Sequence, residues 1–362
     1  FSSGSGESSS VYYKEKSGST WYATRTVQTS TNSIGVGLDL FQTDGGTSFT
    51  GQEDANDPII TVCDDGTNYP VLGYYTVKDD SGTGSSLDFI DSPAVGGSEQ
   101  ITGSGTYTCN NTEVELTSDS QIEVVGVKDN QDNSANIFHC MYYSGSWNCS
   151  TILTDAYKWD GSGWGPDARD TLPIPRMVDT GSGYGLVYTT SNSADTSSFV
   201  KFILYSGGSW GTPVTIVSGA DVGEHMSDVV YDSTLGRFWV SYFDENNDNL
   251  YIAYSDDDGA TWVTASSDST LKIDTSMAID NTENKTYSAI AFDSVPSTDV
   301  LYVAASAVIS DDITAARYKI TSLPSGGGGV PEFSTYIYAM TALVLFGMIY
   351  WKSDDRFALN NE

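Results

Sequence analysis

One pattern constrains the fold of this chain more than any other: an aromatic residue, a turn rich in Gly, Ser and Asp, and then a tryptophan. The pattern recurs at residues 13–21, 143–147, 159–164, 205–210 and 254–262. The steps from Trp164 to Trp210 and from Trp210 to Trp262 are 46 and 52 residues long. A period of about 50 residues with strand-like runs inside it is typical of a four-stranded β-propeller blade. The sequence therefore predicts an all-β propeller.

The last copy of this pattern is the most complete. Its Ser255, Asp257, Gly259 and Trp262 have the spacing S-x-D-x-G-x-x-W. We expect Asp257 to accept backbone N–H bonds across the turn, Gly259 to take a positive φ, and Trp262 to begin the returning strand and pack under its neighbour. The stretch resembles the Asp-box repeat of sialidase-like (BNR) propellers. That resemblance implies a blade and not an active site, and the other four copies keep only the outline.

The chain divides into five predicted parts. They are a flexible N-terminal arm (1–10), a propeller (11–323), a Gly-rich linker that leads into a Pro-Glu-Phe motif (324–332), a transmembrane helix (333–351) and a short cytoplasmic tail (352–362). About 310 residues at about 50 per blade give about six blades, with five and seven as alternatives. Residues 11–29 precede any inner strand, so we expect them to supply outer strands that close the ring. The start at Phe1 and the polar arm predict a removed signal peptide and export.

The chain is strongly acidic. It has 48 Asp and Glu against 16 Lys and Arg, a formal net charge of −32. This charge repels phosphate backbones and excludes nucleic acid as a partner. A solvated surface is one interpretation and calcium capture is the other. Asp244, Asn246 and Asp248 have the alternate oxygen spacing of a calcium loop, but Leu250 follows, and Ser255 stands where the closing Glu of an EF-hand would be.

The four cysteines allow three pairings. If residues 144–145 form a two-residue hairpin loop, Cys140 faces Cys149 at a non-hydrogen-bonded position, where Cα atoms approach most closely. This register predicts a disulfide between Cys140 and Cys149 and leaves Cys63 to pair with Cys109. Free buried thiols are the alternative, which export to an oxidising compartment disfavours.

Residues 333–351 form a run of 19 residues without a charge. As a helix this run is about 28 Å long, close to the hydrocarbon thickness of a bilayer. Its Tyr and Trp residues lie near both ends, and Lys352 and Arg356 follow on the predicted inner side. A buried core helix is the alternative, but it does not suit an otherwise β chain. The run therefore predicts a single-pass membrane protein of the cell envelope, in contact with lipid and with its propeller outside the cell.

The tail also carries a sorting-like motif. A glycine spacer at 325–329, then Pro331, Glu332 and Phe333, the apolar run and basic residues follow one another. This order resembles the PEF-CTERM tails of archaeal surface proteins, with similar tails in some bacteria. The resemblance implies membrane insertion, with sortase-like processing near the motif as one further outcome. Two acidic residues at 354–355 depart from the usual basic cluster, and we expect a retained anchor instead of a cleaved one.

Few residues suit a catalytic site. His139 and His225 are the only histidines, so a Ser-His-Asp triad or a His-rich metal site is hard to build, and we expect His139 to be structural. The sialidase-like resemblance implies arginines that bind a substrate carboxylate. Arg176, near the start of a predicted inner strand, is the one that we place at the central face. Abundant carboxylates keep a glycosidase with paired Asp or Glu as an alternative.

Some residues suit surface contacts. Trp159 and Trp164 lie in the one hairpin that breaks the blade spacing, so they are candidates for stacking on sugar rings, with blade packing as the equal alternative. Glycosylation sequons begin at Asn110, Asn148 and Asn284.

Two classes of function remain. The preferred one is a non-enzymatic, membrane-anchored surface protein that displays its propeller as an envelope lattice or filament subunit or as an adhesin. Its partners would be further copies, other surface proteins or glycans. The alternative is a membrane-anchored, sialidase-like glycoside hydrolase.

Overall fold

The structure is a computed structural model, which describes part of the chain. The described residues are 9–13, 16–17, 20–21, 25–30, 33–40, 58–64, 71–76, 111–116, 122–130, 134–143, 146–157, 175–192, 197–219, 227–244, 249–273, 287–295, 298–309 and 312–320. Apart from one short 3-10 turn at Ser269–Leu271, their regular structure is all β. Within these residues no helix is long and apolar enough to cross a membrane, and the predicted helix at 333–351 lies outside them.

The N-terminal segment forms two antiparallel pairs of strands. In chain order these strands are β1 (Ser9–Tyr13), β2 (Lys16–Ser17), β3 (Thr20–Trp21) and β4 (Arg25–Ser30). β1 pairs with β4, and β2 pairs with β3 between them. The sequence predicts two outer strands over 11–29, and the structure has four strands in this segment, in two pairs. Its role in closing a ring stays a prediction.

The other described strands form antiparallel sheets, in most of which strands that follow one another in the chain pair; sheets 2 and 3 below are the two parts of one nine-stranded sheet. Sheet 1 contains β5 (Ser33–Leu40), β6 (Pro58–Asp64) and β7 (Val71–Thr76). Sheet 2 contains β8 (Asn111–Leu116), β9 (Ile122–Asp129), β10 (Ser134–Tyr143) and β11 (Ser146–Tyr157). Sheet 3 contains β12 (Arg176–Asp179), β13 (Gly183–Ser191) and β14 (Ser198–Ser206), with β15 (Ser209–Trp210) and β16 (Val214–Gly219) both paired to β14.

The last two sheets complete the described strands. Sheet 4 contains β17 (Asp228–Asp232), β18 (Arg237–Asp244), β19 (Asn249–Ser255) and β20 (Lys272–Ile273). Sheet 5 contains β21 (Tyr287–Val295), β22 (Thr298–Ile309) and β23 (Asp312–Ile320). One residue pair, Tyr157 with Ser191, joins sheets 2 and 3. The number of blades stays a prediction.

The first strands of neighbouring sheets lie next to one another. β5 contacts β8, β8 contacts β12, β12 contacts β17, and β17 contacts β21. Polar groups on the first strands of sheets 2 to 5 are therefore brought together, although each is about 50 to 60 residues from the next in the sequence.

The hydrophobic cores lie between sheets. On β13, Leu186 packs toward sheet 2 with Val125 and Ile137, whereas the next residue, Val187, packs toward sheet 4 with Phe238. On β18, Phe238 faces sheet 3 and Trp239 faces Ile290, Leu301 and Val303 of sheet 5. Successive side chains of a strand point to opposite faces, so sheets 3 and 4 are each buried on both faces.

Candidate functional site

Charged residues on three first strands form a continuous group, which we call the inner polar chain: Glu113, Arg176 and Asp228. Arg176 opens β12 and makes an ion pair with Glu113 of β8. Asp228 opens β17 and interacts electrostatically with Arg176. The side chains of Arg176 and Glu113 keep 20% and 12% of their accessibility, so this pair still reaches solvent.

Asp228 continues the inner polar chain to sheet 5. Its Oδ1 accepts a bond from its neighbour, the Val229 N–H, at 2.9 Å, and its Oδ2 accepts the backbone N–H of Ile290 in β21 at 3.0 Å. Burial raises the pKa of Asp228 above its ordinary value, while Arg176 and the two N–H bonds oppose this shift. Four successive sheets are therefore linked near their first strands by one ion pair, one charge interaction and one backbone bond.

Arg176 lies between the two carboxylates. Burial lowers its pKa from the ordinary value and the Asp228 carboxylate opposes that effect; an arginine remains protonated in proteins. The prediction placed Arg176 at a central face, and the structure places it where first strands meet. Sequence reasoning did not single out Glu113 or Asp228. The signal that could have found them is their position, because both lie in the first strand of a sheet.

The turn after β19 has the geometry that the Asp-box pattern predicts. Asp257 accepts bonds from the Ser255 hydroxyl at 2.8 Å and from the Thr261 backbone N–H at 2.8 Å and hydroxyl at 2.6 Å. The Gly259 N–H donates to Ser255 Oγ at 2.9 Å, and the Trp262 indole N–H donates to the Gly259 carbonyl at 3.0 Å. These bonds hold the pKa of the Asp257 carboxyl below its ordinary value, led by those from Thr261. They satisfy the turn internally, so the motif acts as a structural element.

The same turn packs against the neighbouring sheet. Gly259 has a φ of +81°, and a Cβ added there would lie 2.1 Å from a ring carbon of Phe202 in β14. The Phe202 ring also contacts the rings of Trp262 and Phe238, with centroids 5.2 and 4.8 Å away. The turn therefore fixes the position of Phe202 between sheets 3 and 4.

Arg237 is a second buried arginine that sequence reasoning did not single out. Its side chain is 2% exposed, and it donates from Nε and Nη2 to the Asp256 carboxylate at 2.5 and 2.9 Å. Its guanidinium lies 4.2 Å from the Tyr254 ring centroid and 5.1 Å from that of Trp239. A bidentate ion pair stacked on aromatic rings stabilises sheet 4 beside the Asp-box turn.

His139 belongs to a buried polar cluster between sheets 2 and 3. Its Nε2 lies 2.5 Å from Glu123 Oε2, and the other Glu123 oxygen accepts the Tyr184 hydroxyl at 3.0 Å. The imidazole also contacts the rings of Tyr184, Tyr205 and Trp210. Glu123 is fully buried and His139 is 3% exposed, and the Tyr184 bond to Glu123 links sheets 2 and 3.

The cysteine register agrees with the hairpin argument. Tyr143 pairs with Ser146, and Cys140 pairs with Cys149. The two cysteines form a disulfide with a Cα–Cα distance of 4.0 Å. Among the described residues no cysteine is free. Cys109 and the side chain of Cys63 lie outside the described part of the chain, so their pairing stays a prediction.

The remaining predicted site residues are distributed as follows. Asn148 is exposed on β11, and Asp244 ends β18 half-buried. Those outside the described residues are Asn110, Trp159, Trp164, Asn246, Asp248, Asn284, Pro331, Glu332 and Phe333. No group of three or more His, Cys, Asp and Glu within the described ranges could hold a metal ion. The calcium loop stays a prediction.

Comparisons with known proteins identify no family. No family model matches the chain, and no curated protein does. The chain is similar to a solved α-L-arabinofuranosidase of Fusarium graminearum, at 10% identity and a TM-score of 0.47, over 80% of this chain and 81% of the enzyme. It is also similar to an N-acetylgalactosamine deacetylase from F. plautii, at 12% identity and a TM-score of 0.39, over 83% and 86%.

A third similarity is to a sialidase of Trypanosoma rangeli, at 11% identity and a TM-score of 0.41. It covers 88% of this chain and 52% of the sialidase, so the chain spans about half of that protein's length. Because all three TM-scores are below 0.5, no residue role or activity is carried over to this chain.

Proposed function

We propose that the chain is an exported, membrane-anchored cell-surface protein whose β-propeller is a display module without a hydrolytic centre. The observation that carries the proposal is the inner polar chain. Arg176 is occupied by Glu113, and Asp228 accepts two backbone N–H bonds. A centre that binds an anionic substrate needs donors that are not already neutralised. Here the charged groups pair with one another or with the backbone, and these interactions connect sheets.

The propeller part of the proposal is supported by the arrangement of the sheets. Sheets 2 to 5 are antiparallel, their first strands are neighbours, and their cores lie between successive sheets. In a β-propeller, successive sheets pack face to face and their first strands lie next to one another around the centre. The Asp-box geometry at Asp257 supports the sialidase-like form of that plan.

The location part of the proposal is supported by the sequence. The uncharged run at 333–351 and the basic residues after it suit a single transmembrane anchor with the propeller outside. The net charge of −32 suits a protein surface that is exposed to water and dissolved ions. An anchored, highly acidic propeller fits a lattice or filament subunit or an adhesin, with further copies, other surface proteins or glycans as partners.

A glycoside hydrolase is the second candidate, and one observation favours it. Two carboxylates, Glu113 and Asp228, flank Arg176, and burial raises the pKa of Asp228. A glycosidase uses one carboxyl group of raised pKa as an acid and a second carboxylate as nucleophile or base. The two backbone bonds to Asp228 weigh against this role because they fix its oxygens within the fold.

The two candidates are separated by imaging and by substitution. Electron cryotomography of the cell surface should show repeating propeller contacts for a lattice subunit. In parallel, the full chain and its Glu113→Gln and Asp228→Asn variants are assayed in membranes for sugar release from a panel of aryl glycosides. The display proposal predicts no release above an empty-membrane control. Release by the wild type that both folded variants abolish would contradict it and establish the hydrolase.

A further inference from the structure

We infer that Asn148 carries an N-linked glycan at the outer rim of sheet 2, and that this rim is therefore not the surface through which the protein binds its partners. The outer rim is defined here as the exposed residues Asn148, Ser150, Thr151 and Thr154 of β11. The inference rests on the proposed export, since N-glycosylation of Asn-X-Ser/Thr is a feature of secreted chains.

The side-chain amide of Asn148, the acceptor of the glycan, is accessible to solvent. Asn148 and Ser150, the first and third residues of the sequon, are both exposed. They lie two residues apart on β11, so their side chains share one face of the strand. Cys149 between them points to the opposite face, where it bonds to the buried Cys140. The disulfide therefore fixes the strand without covering the Asn148 amide.

The rest of the rim also suits a hydrated sugar. Thr151 and Thr154 are exposed, so the rim presents amide and hydroxyl groups. Among the residues whose side-chain burial the structure describes, the one exposed large hydrophobic side chain is Leu235, on sheet 4 between β17 and β18. Protein-binding surfaces carry aromatic or aliphatic anchors at their centres. The rim of sheet 2 has none among its exposed residues.

A glycan at Asn148 would not cover the inner polar chain. β11 is the fourth strand of sheet 2 and β8 is the first. Three strand spacings of about 4.8 Å place Asn148 about 14 Å or more from the strand of Glu113. The glycan would shield the periphery of the sheet, so contacts between copies or with other partners must use the loop-bearing ends of the sheets or another sheet.

The test uses the full chain recovered from the surface of its own cells and mapped by mass spectrometry. Ser150→Ala keeps Asn148 but destroys the sequon, and Thr151→Ala is the matched control that removes a neighbouring exposed hydroxyl and keeps the sequon. We expect a hexose-containing mass on the Asn148 peptide of the wild type and of Thr151→Ala, with at least a tenfold loss of occupancy in Ser150→Ala.

Each other result has a distinct meaning. Unmodified Asn148 in surface-exposed protein, or equal occupancy in Ser150→Ala, overturns the glycan and leaves the proposed function intact. Protein that is found only inside the cell overturns the proposed function as well.

The claim that partners avoid the outer rim is tested separately. The spacing of the array, or the binding of partners, should be the same in Ser150→Ala and in the wild type. A change in spacing that Thr151→Ala does not reproduce overturns the claim that partners avoid the rim.

Discussion

Alanine at Gly259 should destabilise the protein far more than alanine at Gly208, although both glycines have a positive φ. The φ is +81° at Gly259 and +85° at Gly208, so the backbone cost of a Cβ, about 1–2 kcal/mol, is shared. A Cβ at Gly208 meets nothing within 4 Å, whereas at Gly259 it lies 2.1 Å from the Phe202 ring. The ring or the turn must move, which adds about 1–3 kcal/mol of overpacking.

The assay is the free energy of unfolding in urea, followed by tryptophan fluorescence. We expect Gly208→Ala to lose about 1–2 kcal/mol and Gly259→Ala about 2–5 kcal/mol. Phe202→Leu should be less harmful in the Gly259→Ala background than in the wild type, because the smaller side chain makes room. Equal losses for the two glycine variants, together with additive effects of Phe202→Leu, would refute the contact between the Asp-box turn and sheet 3.

Three further predictions concern charge and location. Asp257→Asn should lower the free energy of unfolding by about 1 kcal/mol, because it weakens three bonds to the carboxylate, and the matched change Asp258→Asn should be nearly neutral; similar losses would contradict the Asp-box account. Burial raises the pKa of Asp228, so its contribution to stability is full below its ordinary pKa and is lost as pH rises through the folded value. The wild type should therefore gain stability relative to Asp228→Asn as the pH of urea titrations falls from 7 toward 4, and the opposite trend would contradict the burial of this carboxyl group. Deletion of 331–362 should release folded protein into the medium, and a truncated chain that stays in the membrane fraction would argue against the anchor.

The parts of the fold that the sequence could predict are those set by patterns of residues close together in the chain. The hairpin register placed Cys140 opposite Cys149 because a two-residue loop determines every pair that follows it. The Asp-box spacing predicted the bonds of Asp257 and the positive φ of Gly259 for the same reason. In each case all the interacting residues lie within about ten positions of one another.

Contacts between sheets could not be predicted in this way. Phe202 meets Gly259 and Trp262 across 57 and 60 residues, and Glu113 meets Arg176 across 63. Such contacts depend on how one sheet is stacked on the next, which hydrophobic alternation does not specify. Arg176 was singled out through its position in a predicted strand, but its two carboxylate partners depend on the stacking and were not found. The bond from Tyr184 of sheet 3 to Glu123 of sheet 2 is missed for the same reason.

The central claim, an anchored propeller outside the cell, is tested most directly by labelling intact cells. Lys272 is exposed on β20, so a membrane-impermeant amine reagent can reach it only if the propeller lies outside. The account predicts that mass spectrometry finds the label on the Lys272 peptide of the full-length chain in intact cells, at a level that lysis does not increase. Labelling of Lys272 that occurs only after the cells are lysed would contradict it.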